Sequence, residues 1–173
     1  MKMNQIHIQY IHTPVGEMIL GSYDDKLCIA DWRYRKGRDT IDKRVQKGLS
    51  ATFIEEESSV LVKAKEELGE YFKGHRKTFD TPLLLVGTEF QKNVWEALMQ
   101  TPYGATASYG ELAQNIDNEK AVRAVASAVG ANAVSIFVPC HRIIGSDGSL
   151  TGYAGGLDAK SELLEIENNL FSV

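Results

Sequence analysis

Apolar and polar residues alternate along residues 5–34, and this alternation predicts a small antiparallel sheet. The first stretch carries apolar side chains at Ile6, Ile8 and Tyr10, with polar residues between them. Two turn sequences, Thr-Pro-Val-Gly and Asp-Asp-Lys, separate this stretch from two further apolar stretches. We therefore expect three short strands at the start of the chain.

The pattern then changes to a helical one. Residues 33–57 carry a mixed run of basic and acidic side chains, which is typical of a solvated loop or helix face. From Ser58 to Phe72 the apolar residues recur every three or four positions, which predicts an amphipathic helix that ends at Gly74 and lies on the sheet. Residues 75–87 look like a connection that ends in a short strand.

The second half of the chain is predicted to be mostly helical. Two sequences in which Thr or Ser is followed three positions later by Gln or Glu predict helices over residues 89–99 and 109–116. A third helix is expected over residues 119–129 and a last one over residues 158–169. The second and third of these are joined by a tight turn, so they form a helix-turn-helix candidate.

These patterns place a domain boundary near residue 84. The strands and the helix before the boundary form a first domain, residues 1–84, and the helices after it form a second, residues 85–173. The predicted fold class is therefore mixed, α/β in the α+β sense, with a sheet-plus-helix domain followed by a mostly helical domain.

The most reactive side chain of the second domain follows an apolar run. Residues 133–138 predict a short buried strand, so Cys140 would stand where this strand leaves the core. A thiol in such a place can be activated by neighbouring charge, and its thiolate is a strong nucleophile. His141 titrates near neutrality, and Arg142 adds a fixed positive charge. A thiol that only packs in the core is the alternative.

Composition places the chain among ordinary globular proteins. Of its 173 residues, 43% are hydrophobic and 24% are charged. No apolar run reaches about 18 residues and the amino terminus is polar, so we expect a cytoplasmic protein with no membrane segment. Cys28 falls in the apolar register of a strand, as a packed thiol does, and needs no disulfide with Cys140. Neither the cysteines nor the histidines are grouped as a zinc site requires.

Charge is distributed unevenly along the chain. Residues 88–173 contain five Lys and Arg against ten Asp and Glu. Nucleic-acid-binding proteins usually carry a basic face that neutralises phosphates. If this half binds DNA, binding must rest on a few well-placed cations, backbone amides and helix amino termini. The alternative is that it does not bind DNA.

Several ordered motifs in the second half resemble those of a known family. They are Phe90-Gln91, Pro102-Tyr103-Gly104, Ser108 to Ala113, Ala121 to Val125, Pro139 to Ile144 and Gly152 to Leu157. From Phe90 to about Glu167 the chain is similar to the O(6)-alkylguanine-DNA alkyltransferases, which take an alkyl group from a damaged base onto their own cysteine. The resemblance implies a ribonuclease H-like first domain and a winged-helix-like second domain. It also implies no cofactor, no metal in the active site, and a monomer that binds double-stranded DNA containing O(6)-alkylguanine.

The resemblance further implies a role for each active-site residue. Cys140 accepts the alkyl group, and its proton passes to His141 through a water, because adjacent side chains seldom meet in extended backbone. Glu167 holds the imidazole, and Asn132 links the DNA-contacting helix to the thiol. Tyr109 donates a hydrogen bond to guanine N3 and so stabilises the charge that develops on the leaving base.

The third predicted helix is rich in small residues, so its backbone can come close to another surface. Close packing against other helices is one use of such a face. The family resembled here lays this helix in the DNA minor groove, which implies DNA contacts from Arg123, Ala124 and Ala126, with Arg123 filling the space of an extruded nucleotide. The implied pocket residues for the extruded base are Tyr153, Gly155 and Val138.

Bond chemistry predicts the stoichiometry of such a transfer. An S-alkyl thioether has no carbonyl that water could attack, so each molecule should accept one alkyl group. Two other classes stay open at this point. A hydrolase could use Cys140, His141 and Glu167 but would need an oxyanion hole, which nothing in the sequence marks. A non-catalytic binder of alkylated DNA would lack the nucleophilic cysteine.

Overall fold

The computed structural model describes residues 4–168. The chain begins with three antiparallel strands, β1 (Asn4–Thr13), β2 (Gly16–Tyr23) and β3 (Lys26–Trp32), joined by tight turns. A fourth strand, β4 (Ala51–Glu55), pairs in parallel with β1, so the sheet order is β3-β2-β1-β4. The three strands expected from the alternating pattern are confirmed.

The charged segment after β3 contains a helix and the fourth strand. Helix α1 (Arg38–Leu49) places Ile41 and Val45 in the core and directs most of its charged side chains to solvent. The expectation of a solvated loop or helix face is therefore correct for α1 and wrong for β4. With five residues, β4 has too little alternation of its own to be recognised, because its pairing depends on β1, which is distant in sequence.

Helix α2 (Ser59–Phe72) follows the prediction closely. The hydroxyl of Ser58 accepts a hydrogen bond from the backbone N–H of Leu61 at the start of the helix, and the apolar face packs on the sheet. The short strand predicted before residue 87 is wrong. Its segment makes a single bridge, between Leu83 and Leu27, because the β3 edge offers only two hydrogen bonds there.

Among the described residues, the second half contains four α-helices. They are α3 (Glu89–Leu98), α4 (Tyr109–Asn115), α5 (Val122–Gly130) and α6 (Leu157–Glu167). Both predicted capping boxes form, at the starts of α3 and α4. Residues 119–121, where the third helix was expected to begin, form a 3-10 turn instead. The expected end of the last helix, residue 169, lies outside the described residues. Two short strands, β5 (Ala107–Ser108) and β6 (Ile143–Ile144), pair in parallel.

The segment before Cys140 is not a strand, contrary to the prediction. Residues 133–138 are all buried, and the segment makes two backbone hydrogen bonds to Ala30 at the edge of β3. Ile136 then takes a positive φ of 74°, and the N–H of Val138 bonds back to the carbonyl of Val134. The apolar run correctly indicated burial, but a buried segment can satisfy its backbone groups in a turn as well as in a strand.

The two halves of the chain are joined by arginine side chains. Arg44 of α1 donates to the carbonyl groups of Val86 and Ala131, and Arg35 donates to the carbonyl of Gly130 at the end of α5. The predicted fold class, a sheet-plus-helix half followed by a mostly helical half, is confirmed. A division of the domains at residue 84 stays a prediction. Within residues 4–168, no helix combines the length and the hydropathy needed to cross a lipid bilayer.

Candidate active site

A single 3-10 turn, Cys140–Arg142, presents the cysteine next to β6. The backbone N–H of Cys140 bonds to the carbonyl of Val138 at 2.8 Å, and Pro139 restricts the backbone between them. The cysteine is 5% exposed. A tight turn therefore positions the sulfur, where the sequence suggested the end of a strand.

Asn132 ties the end of α5 to this turn. Its amide nitrogen donates both to the carbonyl of Val138 at 3.0 Å and to Sγ of Cys140 at 3.2 Å, and its amide oxygen accepts from the N–H of Val134 at 2.9 Å. Any shift of α5 would therefore reach the sulfur through one side chain. The structure brings Asn132 and Cys140 together, and a hinge role for Asn132 stays a prediction.

The surroundings of Cys140 favour the protonated thiol over the thiolate. Burial raises the pKa of Cys140, and the hydrogen bond from Asn132 opposes this rise. The negative charge of Asp31 raises the pKa further, whereas the ammonium group of Lys160 lowers it. Because a thiolate is a stronger nucleophile than a thiol, a base nearby would be needed if this sulfur is to attack a substrate.

Glu167, the last residue of α6, binds the side chains of both residues that follow Cys140. Its Oε2 lies 2.5 Å from Nε2 of His141, and Arg142 donates from Nε to Oε1 at 2.7 Å and from Nη2 to Oε2 at 3.1 Å. Burial alone would raise the pKa of Glu167, but the hydrogen bonds and charges of His141 and Arg142 outweigh it and hold the pKa at about 2. The carboxylate is therefore ionised.

His141 is placed to act as a neutral base. Burial lowers the pKa of its imidazole more than the contact with Glu167 raises it. With Nε2–H donating to the carboxylate, Nδ1 is left as the basic nitrogen, and it has no hydrogen-bond partner among the described residues. The sulfur of Cys140 bonds to Asn132 and not to the imidazole within the described part of the chain. This geometry suits proton transfer from sulfur to Nδ1 through a water.

A cavity of about 260 Å³ opens over the sulfur. This volume is slightly below the lower end of typical small-ligand pockets, roughly 300 Å³. The predicted site residues that line the cavity are Cys140, Asn132, Tyr109, Tyr153 and Ala126. A larger groove of about 870 Å³ lies near Pro139 and Arg142, but Cys140 does not line it. The smaller cavity is therefore the one that serves the thiol.

The remaining predicted site residues lie outside this cavity. Val138 is fully buried and contributes its carbonyl group to Asn132. Gly155 packs against Trp32, since a Cβ at this position would lie 2.7 Å from the indole ring. Arg123 and Ala124 occupy the exposed side of α5.

Several residues of the site were missed by sequence reasoning. Tyr71 of α2 donates to Oε2 of Glu167 at 2.6 Å, and Arg35 lines the cavity. The buried Lys160 donates to the carbonyl groups of Ile143 and Thr151. The one available signal was that a tyrosine on the buried face of a helix needs a partner for its hydroxyl, but the pattern does not say which one. In the described part of the chain, no three His, Cys, Asp or Glu side chains group as a metal site.

The fold and the site define a class of protein. It is a mixed α/β protein in which a buried cysteine, with a neutral histidine and a fixed carboxylate behind it, faces a small cavity beside a helix pair. Residues 6–85 match the family model described as 6-O-methylguanine DNA methyltransferase, ribonuclease-like domain. Residues 89–169 match the model described as 6-O-methylguanine DNA methyltransferase, DNA binding domain. The chain belongs to the 6-O-methylguanine DNA methyltransferase family, as the motifs predicted.

Individual relatives agree with this assignment over nearly the whole chain. A Methylated-DNA--protein-cysteine methyltransferase of Methanosarcina acetivorans is 43% identical over 157 residues, covering 91% of this chain and 95% of that protein. The constitutive Methylated-DNA--protein-cysteine methyltransferase of Bacillus subtilis is 42% identical over 159 residues, covering 90% and 91%. The crystal structure of the O6-methylguanine methyltransferase of Mycobacterium tuberculosis superposes with a TM-score of 0.80 at 37% identity, covering 95% and 93%. The M. tuberculosis protein OGT in complex with DNA gives a TM-score of 0.79 at 39% identity, covering 94% and 93%.

Proposed function

We propose that this protein repairs DNA by moving the methyl group of O(6)-methylguanine onto its own Cys140, once per molecule. The observation that carries the proposal is the position of the sulfur, which faces a cavity of about 260 Å³ and accepts a hydrogen bond from Asn132. Family membership supports the same reaction, because the relatives are named methylated-DNA--protein-cysteine methyltransferases.

The proposed reaction is a displacement at the methyl carbon. His141 takes the thiol proton of Cys140 through a water, and Sγ forms a bond to the methyl carbon. The bond from that carbon to O6 breaks, and its electron pair stays on the guanine, which then takes a proton from solvent. Tyr109, which lines the cavity, donates a hydrogen bond to guanine N3 while the charge develops. Glu167 holds the imidazole and stabilises it when it is protonated.

The reaction requires the damaged nucleotide to leave the helix stack, because a buried sulfur cannot reach a paired base. In the proposed complex, α5 lies in the minor groove, where Ala124 and Ala126 allow close approach and Arg123 fills the space of the extruded nucleotide. The exposure of Arg123 and Ala124 supports this orientation. Ala126 also lines the cavity, so one helix can serve both the groove and the pocket. The DNA complex of the M. tuberculosis relative supports DNA as the partner.

Four finer points belong to the same proposal. The protein acts as a monomer, as the resemblance to the family implied. It works in the cytoplasm, as its composition suggests. Residues 1–84 and 85–173 form its two domains, which agrees with family matches on either side of that division. O(4)-alkylthymine is a second substrate, because its alkyl carbon is also carried on a base oxygen.

The test is the intact mass of the protein after incubation with a duplex containing one O(6)-methylguanine. We expect a gain of one methylene on the peptide that contains Cys140, with no more than one transfer per molecule. A Cys140→Ser variant should gain no mass and still bind the duplex. If the wild-type protein bound the lesion but gained no mass, it would be a non-catalytic binder of alkylated DNA instead. Many turnovers per molecule would contradict the single-transfer reaction, and loss of folding in Cys140→Ser would return this cysteine to a structural role.

A further inference from the structure

The phenol of Tyr71 reaches the active site from the first half of the chain. Tyr71 lies near the end of α2, and its hydroxyl donates to Oε2 of Glu167 at 2.6 Å. The residue is fully buried. Burial and the neighbouring carboxylate both raise the pKa of Tyr71, so its hydroxyl stays protonated and acts as a donor.

Three aromatic rings fix the direction of this hydroxyl. The ring of Tyr71 lies 5.4 Å from that of Phe72, 5.6 Å from that of Phe79 and 6.3 Å from that of Tyr103, measured between centroids. The Tyr103 ring contributes packing alone, since its hydroxyl donates to the backbone carbonyl of Ile166 at 3.0 Å and not to this carboxylate. The Tyr71 ring therefore has no room to swing away, and its hydroxyl is directed at the carboxylate.

The oxygen that receives this hydrogen bond is the one that holds the imidazole. Oε2 of Glu167 accepts from Tyr71, from His141 and from Arg142. Donors that share one oxygen compete for its electron density, so each weakens the bond the others make. Tyr71 therefore reduces the negative charge that the carboxylate can offer to a protonated imidazole, while it fixes the position of that carboxylate.

We propose that Tyr71 is a positioning residue of the alkyl-transfer site, where its hydroxyl sets how firmly Glu167 and His141 hold the proton taken from Cys140. The inference rests on the function proposed above, and it deepens that function by giving the first half of the chain a part in thiol activation. Among the described residues, the Tyr71 hydroxyl bonds to Glu167 and not to Cys140 or His141, so Tyr71 acts through Glu167.

Other charged or titratable groups also face this network. They are Arg142 of the 3-10 turn, Lys160 of α6, Tyr103 of the loop after α3, and Tyr153 of the loop before α6. None of them is altered by a substitution at position 71. If the pH dependence of the rate changes only when residue 71 is changed, the change is caused by the Tyr71 hydroxyl.

The experiment compares wild-type protein with Tyr71→Phe between pH 5 and 9. Two rates are measured: methyl transfer from a duplex containing O(6)-methylguanine, and alkylation of Cys140 by iodoacetamide without DNA. Removal of the hydroxyl leaves more negative charge on Oε2, which favours the protonated imidazole. The pH at which each rate falls to half on the acid side should therefore rise by roughly half to one unit. Transfer at neutral pH should slow about threefold because the carboxylate is less fixed, while affinity for the duplex stays unchanged.

A second variant should shift the acid-side midpoint in the opposite direction. It keeps the test valid even if Tyr71→Phe folds poorly. With 3-fluorotyrosine incorporated at position 71, the ring and hydroxyl remain, but the phenol is a stronger donor. Its acid-side midpoint should move below that of the wild type. Tyr103→Phe is the matched control. It also removes a tyrosine hydroxyl from this aromatic cluster, but that hydroxyl donates to the backbone carbonyl of Ile166 and not to Glu167. Its midpoint should stay at the wild-type value.

The outcomes separate this inference from the proposed function. If both position-71 variants keep the wild-type midpoint in both reactions, Tyr71 serves packing only and the inference is overturned. Equal shifts in Tyr71→Phe and Tyr103→Phe would overturn it as well, because they would report general loosening. The wild type could take no methyl group from DNA while the iodoacetamide midpoint rises in Tyr71→Phe and falls with 3-fluorotyrosine. In that case the substrate proposal fails and the role of Tyr71 stands.

Discussion

The two cysteines of this chain are both buried, yet their surroundings differ in kind. Cys28 lies within β3, where burial raises its pKa to about 12 and its thiol donates to the backbone carbonyl of Gly21 at 3.5 Å. Cys140 lies in a turn, where burial also raises the pKa but the amide of Asn132 donates to the sulfur. Burial thus makes both thiols weak acids. What distinguishes Cys140 is the polar network behind it and the cavity in front of it.

The two ends of the polar network also differ. At the rigid end, Glu167 accepts several hydrogen bonds, whereas at the sparse end the sulfur of Cys140 accepts few within residues 4–168. The carboxylate of Glu167 accepts four hydrogen bonds, from Tyr71, His141 and twice from Arg142. Among the described residues, the sulfur of Cys140 accepts its hydrogen bond of 3.2 Å from the Asn132 amide. A saturated, ionised carboxylate cannot move, so the imidazole keeps its place and tautomer. The hydrogen bond from Asn132 orients the sulfur, which lines the cavity through which an incoming carbon would arrive.

The largest effect is expected from Glu167→Gln, which removes the charge on which the network rests. Methyl transfer should slow by roughly 100-fold or more, because the protonated imidazole loses its partner. The folded state should lose about 3 kcal/mol or more, since the guanidinium of Arg142 is left buried without its carboxylate. Single-turnover transfer and urea unfolding measure the two effects. Glu165→Gln, on the exposed face of the same helix, is the control and should resemble the wild type.

In the wild-type protein, low pH should remove the stabilisation that the ionised Glu167 gives to the folded state. The folded pKa of Glu167 is about 2, below its unfolded value of about 4.3. A depressed pKa means that the stabilisation is complete above the unfolded value and is lost as pH falls towards the folded value. Between about pH 4.3 and pH 2, wild-type protein should therefore lose about 3 kcal/mol that Glu167→Gln does not lose. Parallel unfolding curves for the two proteins across this window would contradict the assignment.

A smaller effect is expected at the sparse end, from Asn132→Ala. The substitution removes the hydrogen bonds to the sulfur and to the carbonyl of Val138, and it leaves the N–H of Val134 unpaired. We expect about 2 kcal/mol of destabilisation and, because the sulfur is no longer held in line, about tenfold slower transfer. Chemical denaturation and single-turnover assays check both values. The exposed Asn115→Ala serves as control, and equal transfer rates in the two variants would remove Asn132 from the mechanism.

The smallest effect on function is expected from Cys28→Ala. Loss of a buried sulfur from the sheet should cost about 1 kcal/mol of stability and leave methyl transfer unchanged. In the wild-type protein, mass spectrometry after iodoacetamide treatment at pH 8 should find the label on Cys140 and none on Cys28, whose thiol remains protonated there. Labelling of Cys28 in the folded protein would show that burial does not separate the two thiols as described.

Local sequence predicted those elements whose signals are contained within a few residues. The capping boxes of α3 and α4 and the alternation in β1 were sufficient, because each is set by neighbouring residues. The same logic failed for β4 and for residues 133–138. In both segments the backbone partners come from distant parts of the chain, so the apolar content indicated burial without indicating geometry.

The sequence by itself determined the family, because its motifs are contiguous from Phe90 to about Glu167, and it singled out Cys140 and the two residues that follow it as candidates. Only the tertiary structure decided that Tyr71 and Arg35, from the first half of the chain, belong to the same site. It also decided that Val138 and Gly155 do not line the cavity, and that Gly155 packs against Trp32. The physical reason is that a motif records which side chains are present, whereas a hydrogen bond between residues 96 positions apart depends on how the helices pack.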